Sequence, residues 1–208
     1  KFLGDSGDNN VPIDYLINKD YLKNRMKSFS WEKASISENI NPGDISIFES
    51  EETTHYSIVD KYGNAVGVTT TLNSSFGSKL FVEQGGFFLN NQMDDFSIKI
   101  GQPNLYGLIG GKVNSVQPNK RMLSSMTPTI VEKDGKLSLV LGTPGGSTII
   151  TSVLQTILNI YEYKMPVQKA VNSHRFHHQW FPDNIVFEPN AFDEKIIEPE
   201  TEFINLPK

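Results

Sequence analysis

The spacing of apolar positions changes several times along the chain, and each change predicts a different element. From Pro12 to about Met26, apolar side chains recur every three or four residues, which predicts one amphipathic helix. Residues 30–52 lose this periodicity and end in an acidic run, which predicts a long exposed linker. From Thr53 onwards β-branched residues dominate, so strands are predicted.

The first predicted hairpin joins residues 53–60 to residues 64–72. Its loop is Lys61-Tyr62-Gly63, and a three-residue loop that ends on a left-handed glycine is a common hairpin connection. Pairing Asp60 with Asn64 then places Thr53 opposite Thr71, on the same face of the two-stranded ribbon. In this register Asn73 lies one strand step beyond the threonine pair.

A second hairpin is predicted around Asp134-Gly135, a dipeptide typical of a type I′ turn. Its strands are residues 129–133 and 136–141, and the second strand runs into a glycine-rich turn at residues 142–147. The remaining pattern predicts helices at residues 149–161 and 166–172, a strand at residues 185–187, a last helix at residues 192–197, and a long Gly-, Asn- and Pro-rich loop at residues 85–119. Hairpins followed by helices indicate an α+β fold of layered sheets and helices.

Composition and charge exclude several classes of protein. Hydrophobic residues make up 38% of the 208 residues and charged residues 21%, which is typical of a globular protein. No apolar run is long enough to predict a transmembrane helix, and the first residues turn polar too early for a signal peptide. The net charge is −4 over residues 1–52, +3 over residues 53–184 and −4 over residues 185–208, so no nucleic-acid partner is predicted. The absence of cysteine excludes thiol nucleophiles and disulfides.

Two short patterns carry candidate catalytic chemistry. Thr53 begins a strand directly after an exposed segment, and a threonine freed by cleavage of the preceding peptide bond gains an α-amine that can act as its base. Gly145-Gly146 stands between a strand and a helix, where two backbone N–H groups can converge on a developing oxyanion. Taken alone, each pattern is also typical of an ordinary strand start or a tight turn.

Three polar clusters are candidates for binding. The adjacent Asp94 and Asp95 would face opposite ways on an extended backbone, and one of them could bind an ammonium group. Ser124-Ser125 could supply hydroxyl groups to a carboxylate. The cluster from His174 to His178 lacks the spacing and the cysteine partners of a metal site, so packed or surface histidines are predicted there, with no metal and no cofactor.

Six sequence blocks, in this order, strongly resemble the gamma-glutamyltranspeptidase family. They are Thr53-Thr54-His55-Tyr56-Ser57, Thr71-Leu72-Asn73, Asn90-Asn91-Gln92-Met93-Asp94-Asp95-Phe96, Pro118-Asn119-Lys120-Arg121 with Leu123-Ser124-Ser125-Met126-Thr127-Pro128, Pro144-Gly145-Gly146-Ser147, and Arg175-Phe176-His177-His178-Gln179-Trp180. The match covers about residues 53–190. By this resemblance, residues 1–52 are the end of the large subunit with the linker before the cleavage site, and residues 53–208 are a small-subunit catalytic segment truncated at its end.

The resemblance implies an N-terminal-nucleophile hydrolase fold, an αββα sandwich that is present here in part. It implies a precursor that cleaves itself between Glu52 and Thr53, after which Thr53 is the nucleophile. Thr71 would hydrogen-bond Thr53 and assist it, which agrees with the hairpin register. The other implied roles are oxyanion binding by Gly145 and Gly146, substrate contact by Asn73 and Gln92, α-ammonium binding by Asp95, α-carboxylate binding by Ser124 and Ser125, and a lid role for Tyr106.

The implied reaction cleaves the γ-glutamyl amide of glutathione or a related compound and passes the acyl group to water, an amino acid or a dipeptide. The implied partner is the remainder of the large subunit, and the implied location is the periplasm or the outside of the cell. Because most of the large subunit is absent from the sequence, we expect the chain alone to be an impaired fragment. Two alternatives remain open, namely a related acylase acting on β-lactam side chains and a non-catalytic module that retains the fold.

Overall fold

The computed structural model describes residues 13–37, 53–181 and 183–193, and the backbone of residues 203–205. The chain divides into two compact units. The first unit comprises Lys1–Ile47, Met93–Ser124 and Trp180–Asp183, and the second comprises Phe48–Gln92, Ser125–Gln179 and Asn184–Lys208. The functional division of the chain at residue 53 stays a prediction.

The single helix predicted near the start of the first unit is instead two short helices, α1, Ile13–Leu16, and α2, Lys19–Arg25. Between them Asn18 is extended, and its side-chain oxygen accepts from the backbone N–H groups of Asp20 and Tyr21. Asparagine favours this N-cap position because its side chain replaces the missing helical acceptor, so the helix restarts although the apolar spacing continues. Of the predicted linker, residues 30–36 form neither helix nor strand, and residues 38–52 lie outside the described residues.

The rest of the first unit is built on turns. Short 3-10 helices occupy Gln92–Asp95 and Lys112–Asn114, and an isolated bridge joins Pro103 to Ile109. Inside that bridge, the side-chain oxygen of Asn104 accepts from the N–H groups of residues 106 and 108. The predicted long loop therefore contains a compact turn of its own.

The first predicted hairpin of the second unit is present, with β1 at Thr53–Val59 and β2 at Ala65–Thr71. The predicted register is confirmed, since Thr53 is the cross-strand partner of Thr71. Gly63 has a φ of +86°, the left-handed conformation that this loop type requires. A small hairpin that the pattern did not predict follows, with β3 at Phe81–Val82 and β4 at Phe87–Phe88.

The second predicted hairpin is also present, with β5 at Thr129–Lys133 and β6 at Lys136–Leu141. Asp134 and Gly135 have φ angles of +53° and +70°, the two left-handed residues of a type I′ turn. The register shifts by one residue between Val131 and Glu132, which is a β-bulge.

The helices after the glycine-rich turn agree with their predictions. They are α3, Ile149–Tyr161, and α4, Val167–Asn172, and α3 buries Ile149 and Val153. A three-stranded sheet follows, in the order β7-β8-β9, formed by Phe176–His177, Ile185–Phe187 and Phe203–Asn205. Of the helix predicted at residues 192–197, Phe192 and Asp193 are not helical, and residues 194–197 lie outside the described residues.

The two long hairpins stack on each other through the face that carries Thr53. Ser57 and Gly67 are cross-strand partners on this face, because side chains alternate along a strand. The hydroxyl of Ser57 donates to the carbonyl oxygen of Val140 at 3.3 Å, and a Cβ at Gly67 would lie 3.2 Å from Val140 Cγ1. The predicted stacking of sheets is therefore visible in the second unit as one hairpin packed against the other.

Candidate active site

The threonine pair lies at the open end of the first hairpin. Strand pairing alone brings Thr53 and Thr71 side by side on one face. The Oγ1 of Thr71 accepts a hydrogen bond from the backbone N–H of Asn73 at 2.9 Å. This bond ties the Thr71 side chain to the backbone two residues further along the chain.

Asn73 does not continue the strand as predicted. Its φ is +79°, and the side chain is buried. Asparagine tolerates this left-handed conformation better than most residues, so the chain turns directly after β2. Its Nδ2 then donates to the carbonyl oxygen of Asn91 at 3.4 Å, and Asn91 immediately precedes Gln92. The structure thus brings the segments of two predicted substrate-contacting residues together.

The glycine-rich turn has the backbone geometry of an anion-binding corner. Gly145 and Gly146 have φ angles of +131° and +54°, and they lead through a 3-10 turn into α3. The N–H and the hydroxyl of Thr148 both donate to the carbonyl oxygen of Gly145, at 3.0 and 2.7 Å. Because the first N–H groups of a helical segment have no intrahelical acceptor, this turn presents donors suited to an oxyanion.

Ser124 and Ser125 fall in different units, Ser124 in the first and Ser125 in the second. The hydroxyl of Ser125 donates to the carbonyl oxygen of Gly146 at 2.8 Å. Ser125 therefore supports the glycine turn, and its hydroxyl would have to leave this bond in order to donate to a carboxylate.

Asp95 lies in the first unit, half-buried beside Asp94. Burial, and secondarily the charge of Asp94, raise the pKa of Asp95 to about 6. The two aspartates lie on a 3-10 turn, so the expectation of an extended backbone there is wrong. Asp94 accepts from the N–H of Leu105 at 2.7 Å. An ammonium group beside Asp95 would relieve the cost of its buried charge.

Tyr106, the predicted lid residue, directly follows Leu105, whose N–H donates to Asp94. Tyr106 is buried, with 5% of its surface exposed. Its turn is held by the Asp94 carboxylate and by the side chain of Asn104. The turn that carries Tyr106 is thus fixed by two side-chain hydrogen bonds.

Two residues near the predicted site were missed by the sequence reasoning. Asn114 is buried, and its Nδ2 donates to the carbonyl oxygen of Asp95 at 2.7 Å, while its Oδ1 accepts from the N–H of Leu123 at 3.0 Å. It thereby ties the backbone of Asp95 to the residue before Ser124. The residues around Asn114 in the sequence do not indicate these contacts, since both partners are backbone groups.

The second missed residue is His55, which lies inside the first block of the family resemblance. It contacts Thr69 and Ser57 through its two ring nitrogens.

The histidine cluster forms packing contacts. His177 is buried, which lowers its pKa, and its ring nitrogens lie 2.8 Å from Thr151 Oγ1 and 3.0 Å from Gln179 Oε1. His174 lies 4.0 Å from Glu188, which also pairs with Arg175. Among the described residues, no three His, Asp or Glu side chains are grouped closely enough to hold a metal ion.

The helices of the described residues are also too short or too polar to cross a membrane.

Comparison with known proteins agrees with these features. The family model of gamma-glutamyltranspeptidase matches residues 1–199. The chain is 54% identical over 185 residues to a glutathione hydrolase proenzyme of Escherichia coli K12, which is 89% of this chain and 32% of that protein. It is 49% identical over 200 residues to the corresponding proenzyme of a Pseudomonas species, strain A14, which is 95% of this chain and 35% of that protein. The chain thus spans about a third of the length of these relatives.

Solved structures show the same fold. A mutant of Helicobacter pylori gamma-glutamyltranspeptidase superposes with a TM-score of 0.70 at 50% identity, over 74% of this chain and 85% of that chain. The transpeptidase CapD of Bacillus anthracis superposes with a TM-score of 0.52 at 26% identity, over 69% of this chain and 70% of that chain. The predicted N-terminal-nucleophile hydrolase class is therefore confirmed. The matched family model and the relatives together show that this chain belongs to the gamma-glutamyltranspeptidase family.

Proposed function

We propose that the complete protein carrying this chain hydrolyses or transfers the γ-glutamyl group of glutathione and related compounds. The observation that carries the proposal is the cross-strand pairing of Thr53 with Thr71 in a chain of this family. That pairing supports the proposal, because an N-terminal threonine nucleophile with an assisting hydroxyl requires both residues on one face of the hairpin.

The reaction proceeds through an acyl-enzyme. The Thr53 hydroxyl attacks the γ-glutamyl carbonyl carbon while its proton passes to the α-amine of the same residue. The N–H groups of Gly145 and Gly146 bind the oxyanion that develops on the carbonyl oxygen. The C–N bond of the amide then breaks, and the departing amine takes the proton. Water, an amino acid or a dipeptide attacks the resulting ester and restores the threonine.

Substrate recognition is assigned to six polar side chains. Asp95 binds the α-ammonium group, and the neighbouring pair Ser124 and Ser125 binds the α-carboxylate. Asn73 and Gln92 contact the glutamyl part, and Tyr106 belongs to the lid. The pKa of Asp95 supports its role, since a bound cation stabilises the ionised form of a carboxyl group whose pKa burial has raised.

The nucleophile is exposed by self-cleavage between Glu52 and Thr53. Glu52 lies outside the described residues, so the proposal rests on Thr53 as the first residue of β1 and on the proenzyme designation of the relatives. Residues 1–52 then end the large subunit, residues 53–208 begin the small one, and the remainder of the large subunit is the partner. The mature protein works in the periplasm or outside the cell, and this chain alone is impaired.

Release of p-nitroaniline from γ-glutamyl-p-nitroanilide by the complete gene product tests the activity, and intact-mass measurement tests the cleavage. Thr53→Ala should abolish both turnover and self-cleavage, because no hydroxyl remains to attack. Thr54→Ala is the matched control, since Thr54 is exposed on the opposite face of β1 and should leave both intact. Turnover by an uncut chain, or by the Thr53→Ala variant, would refute the proposal.

The two alternative functions, a β-lactam acylase and a non-catalytic module, predict different results. An acylase of the β-lactam type would release a β-lactam side chain and ignore the γ-glutamyl anilide. A non-catalytic module would bind a γ-glutamyl ligand equally well with or without the Thr53 hydroxyl. The acidic group at Asp95 argues against an acylase, because it suits the α-ammonium group of an amino-acid substrate.

A further inference from the structure

The imidazole of His55 lies where the nucleophile strand meets the strand that leads to the glycine turn. His55 follows Thr53 by two residues on β1, so both side chains occupy the same face of the hairpin. Its Nδ1 lies 2.8 Å from the Oγ1 of Thr69, its cross-strand partner, and its Nε2 lies 3.0 Å from the Oγ of Ser57. Both ring nitrogens are therefore engaged by hydroxyl groups of the same hairpin.

These hydrogen bonds have a consistent direction. The Ser57 hydroxyl donates to the carbonyl oxygen of Val140, so its oxygen accepts from the Nε2–H of His55. The ring then accepts at Nδ1 from the hydroxyl of Thr69. Burial lowers the pKa of His55, which favours this neutral ring. The imidazole thus links Thr69 on β2 to Ser57 on β1, and Ser57 in turn bonds Val140 on β6 of the stacked hairpin.

The His55 ring also lies against Gly142. A Cβ at this position would lie 2.2 Å from His55 Nδ1 and 2.3 Å from Cε1, far inside van der Waals contact. Gly142 does not have a left-handed backbone, so this close approach to the ring is the reason that glycine is needed there. Gly142 directly follows β6 and precedes Gly145 by three residues. The ring therefore rests against the base of the glycine turn.

We propose that His55 is a positioning residue, whose imidazole sets the separation between the Thr53 strand and the Gly145-Gly146 turn. The inference rests on the proposed function, which assigns attack to Thr53 and oxyanion binding to the turn. The ring itself contacts neither of these groups. Its removal lets strand and turn shift against each other, while the backbone of Asp95, the residue assigned to the α-ammonium group, is held by Asn114.

The test compares His55→Ala, Gly142→Ala and the double variant in the complete gene product, with γ-glutamyl-p-nitroanilide as substrate. Rates are counted per processed molecule, which intact mass determines. Each single variant should lower kcat by about 10- to 100-fold, because a misplacement near 1 Å has effects of this size, and should leave KM within about twofold. The double variant should be no slower than His55→Ala, because the added methyl group occupies the space that the ring has left.

Two substitutions on β2 serve as finer probes. Thr69→Val removes the hydroxyl that bonds the ring and keeps the shape of the side chain, so kcat should fall by a smaller factor, and Thr69→Ser should restore it. Thr70→Val makes the same chemical change one residue away, at an exposed position on the opposite face, and should leave both kcat and KM unchanged.

An unchanged kcat in His55→Ala, fully additive losses in the double variant, or a rise in KM that equals the fall in kcat would overturn the inference. If His55→Ala does not fold or process, the Thr69 variants decide, and equal kcat for Thr69→Val and the wild type would count against it. A wild-type protein without turnover refutes the proposed function and this inference with it. A fully active wild type whose His55, Gly142 and Thr69 variants are equally active refutes the inference alone.

Discussion

The two compact units obtain their candidate functional geometry in different ways. In the second unit, Thr53 and Thr71 are neighbours because backbone pairing in a hairpin places them so, and the glycine turn lies where a strand ends and a helix begins. In the first unit, Asp95 and Tyr106 stand on turns that are held by buried polar side chains such as Asn114. The second unit carries the groups assigned to acyl transfer, together with Asn73, Gln92 and Ser125. The first unit carries the other groups assigned to the substrate, namely Asp95, Ser124 and Tyr106.

This difference predicts which kinetic constant, kcat or KM, a substitution in each group of residues should change. Groups that act only on the developing oxyanion or on the nucleophile affect kcat, whereas groups that hold the substrate in its ground state affect KM. We therefore expect substitutions of the acyl-transfer groups in the second unit to change mainly kcat, and substitutions around Asp95 in the first unit to change mainly KM. The first three of the following predictions test this separation in the complete gene product, and the fourth concerns stability.

The largest effect is expected for Gly145→Ala. A Cβ there would lie 2.7 Å from Thr148 Oγ1 on a backbone with a φ of +131°, so the turn must deform. Loss of one oxyanion donor typically lowers kcat by about 100- to 1000-fold, and KM should change little. Steady-state kinetics with γ-glutamyl-p-nitroanilide measure both. Gly135→Ala is the control, because it strains a left-handed glycine in open space in the β5–β6 turn; a comparable loss of kcat there would contradict the prediction.

Asp95→Asn should raise KM for γ-glutamyl donors by about 10- to 100-fold, the usual range for loss of a hydrogen bond to a charged group. In the wild type, kcat/KM should fall as the pH drops below about 6, because the protonated carboxyl group of Asp95 no longer attracts an ammonium group. In the variant the inflection near pH 6 should disappear, whereas the limb that belongs to the α-amine of Thr53 should remain. A pH profile of kcat/KM that keeps its limb near pH 6 in Asp95→Asn would show that another group titrates there.

Asn114→Ala should raise KM by about tenfold, since it removes two buried hydrogen bonds of roughly 1 kcal/mol each and releases the backbone of Asp95 from that of Leu123. The fall in kcat should be smaller than the rise in KM. Asn172→Ala, at an exposed position at the end of α4, is the matched control. A loss confined to kcat would place Asn114 with the acyl-transfer groups and break the separation between the units.

The smallest effect concerns stability. The pKa of Asp95 is raised from 3.8 to about 6 in the folded chain, so its contribution to stability is present below pH 3.8 and is lost as the pH rises to about 6. Asp95→Asn should therefore melt at a higher temperature than the wild type at pH 7, with a smaller gain at pH 4. Thermal unfolding without ligand measures both. Equal gains at the two pH values would mean that the carboxyl group is not the cause.

The second unit was largely predictable because its signals are local. The loop that ends on Gly63 determines the register of β1 and β2, and the left-handed pair Asp134 and Gly135 determines the turn between β5 and β6. The exceptions in this unit were the small β3–β4 hairpin, which the pattern did not predict, and Asn73, which turns the chain after β2. In the first unit, Asn18 likewise divides a predicted helix, because its side chain competes with regular backbone bonding.

The first unit was predictable in its candidate residues but not in its geometry. Asp95 and Tyr106 entered through resemblance to a family, and nothing local indicated that Asp94 anchors the backbone of Leu105 or that Asn114 joins Asp95 to Leu123. Such contacts join a side chain to backbone groups far along the chain. Backbone groups are the same at every residue, so the sequence does not mark them as partners.

By itself, then, the sequence determined the two long hairpins, the pairing of Thr53 with Thr71, the helix after the glycine turn and the family. The elements follow from periodicity and turn chemistry, which act over short distances along the chain, and the family follows from the order of six sequence blocks. Only the tertiary structure decided that His55 rests against Gly142, that Ser125 supports the turn through Gly146, and that burial raises the pKa of Asp95. Burial and close packing depend on segments that are distant in the sequence and meet only when the chain folds.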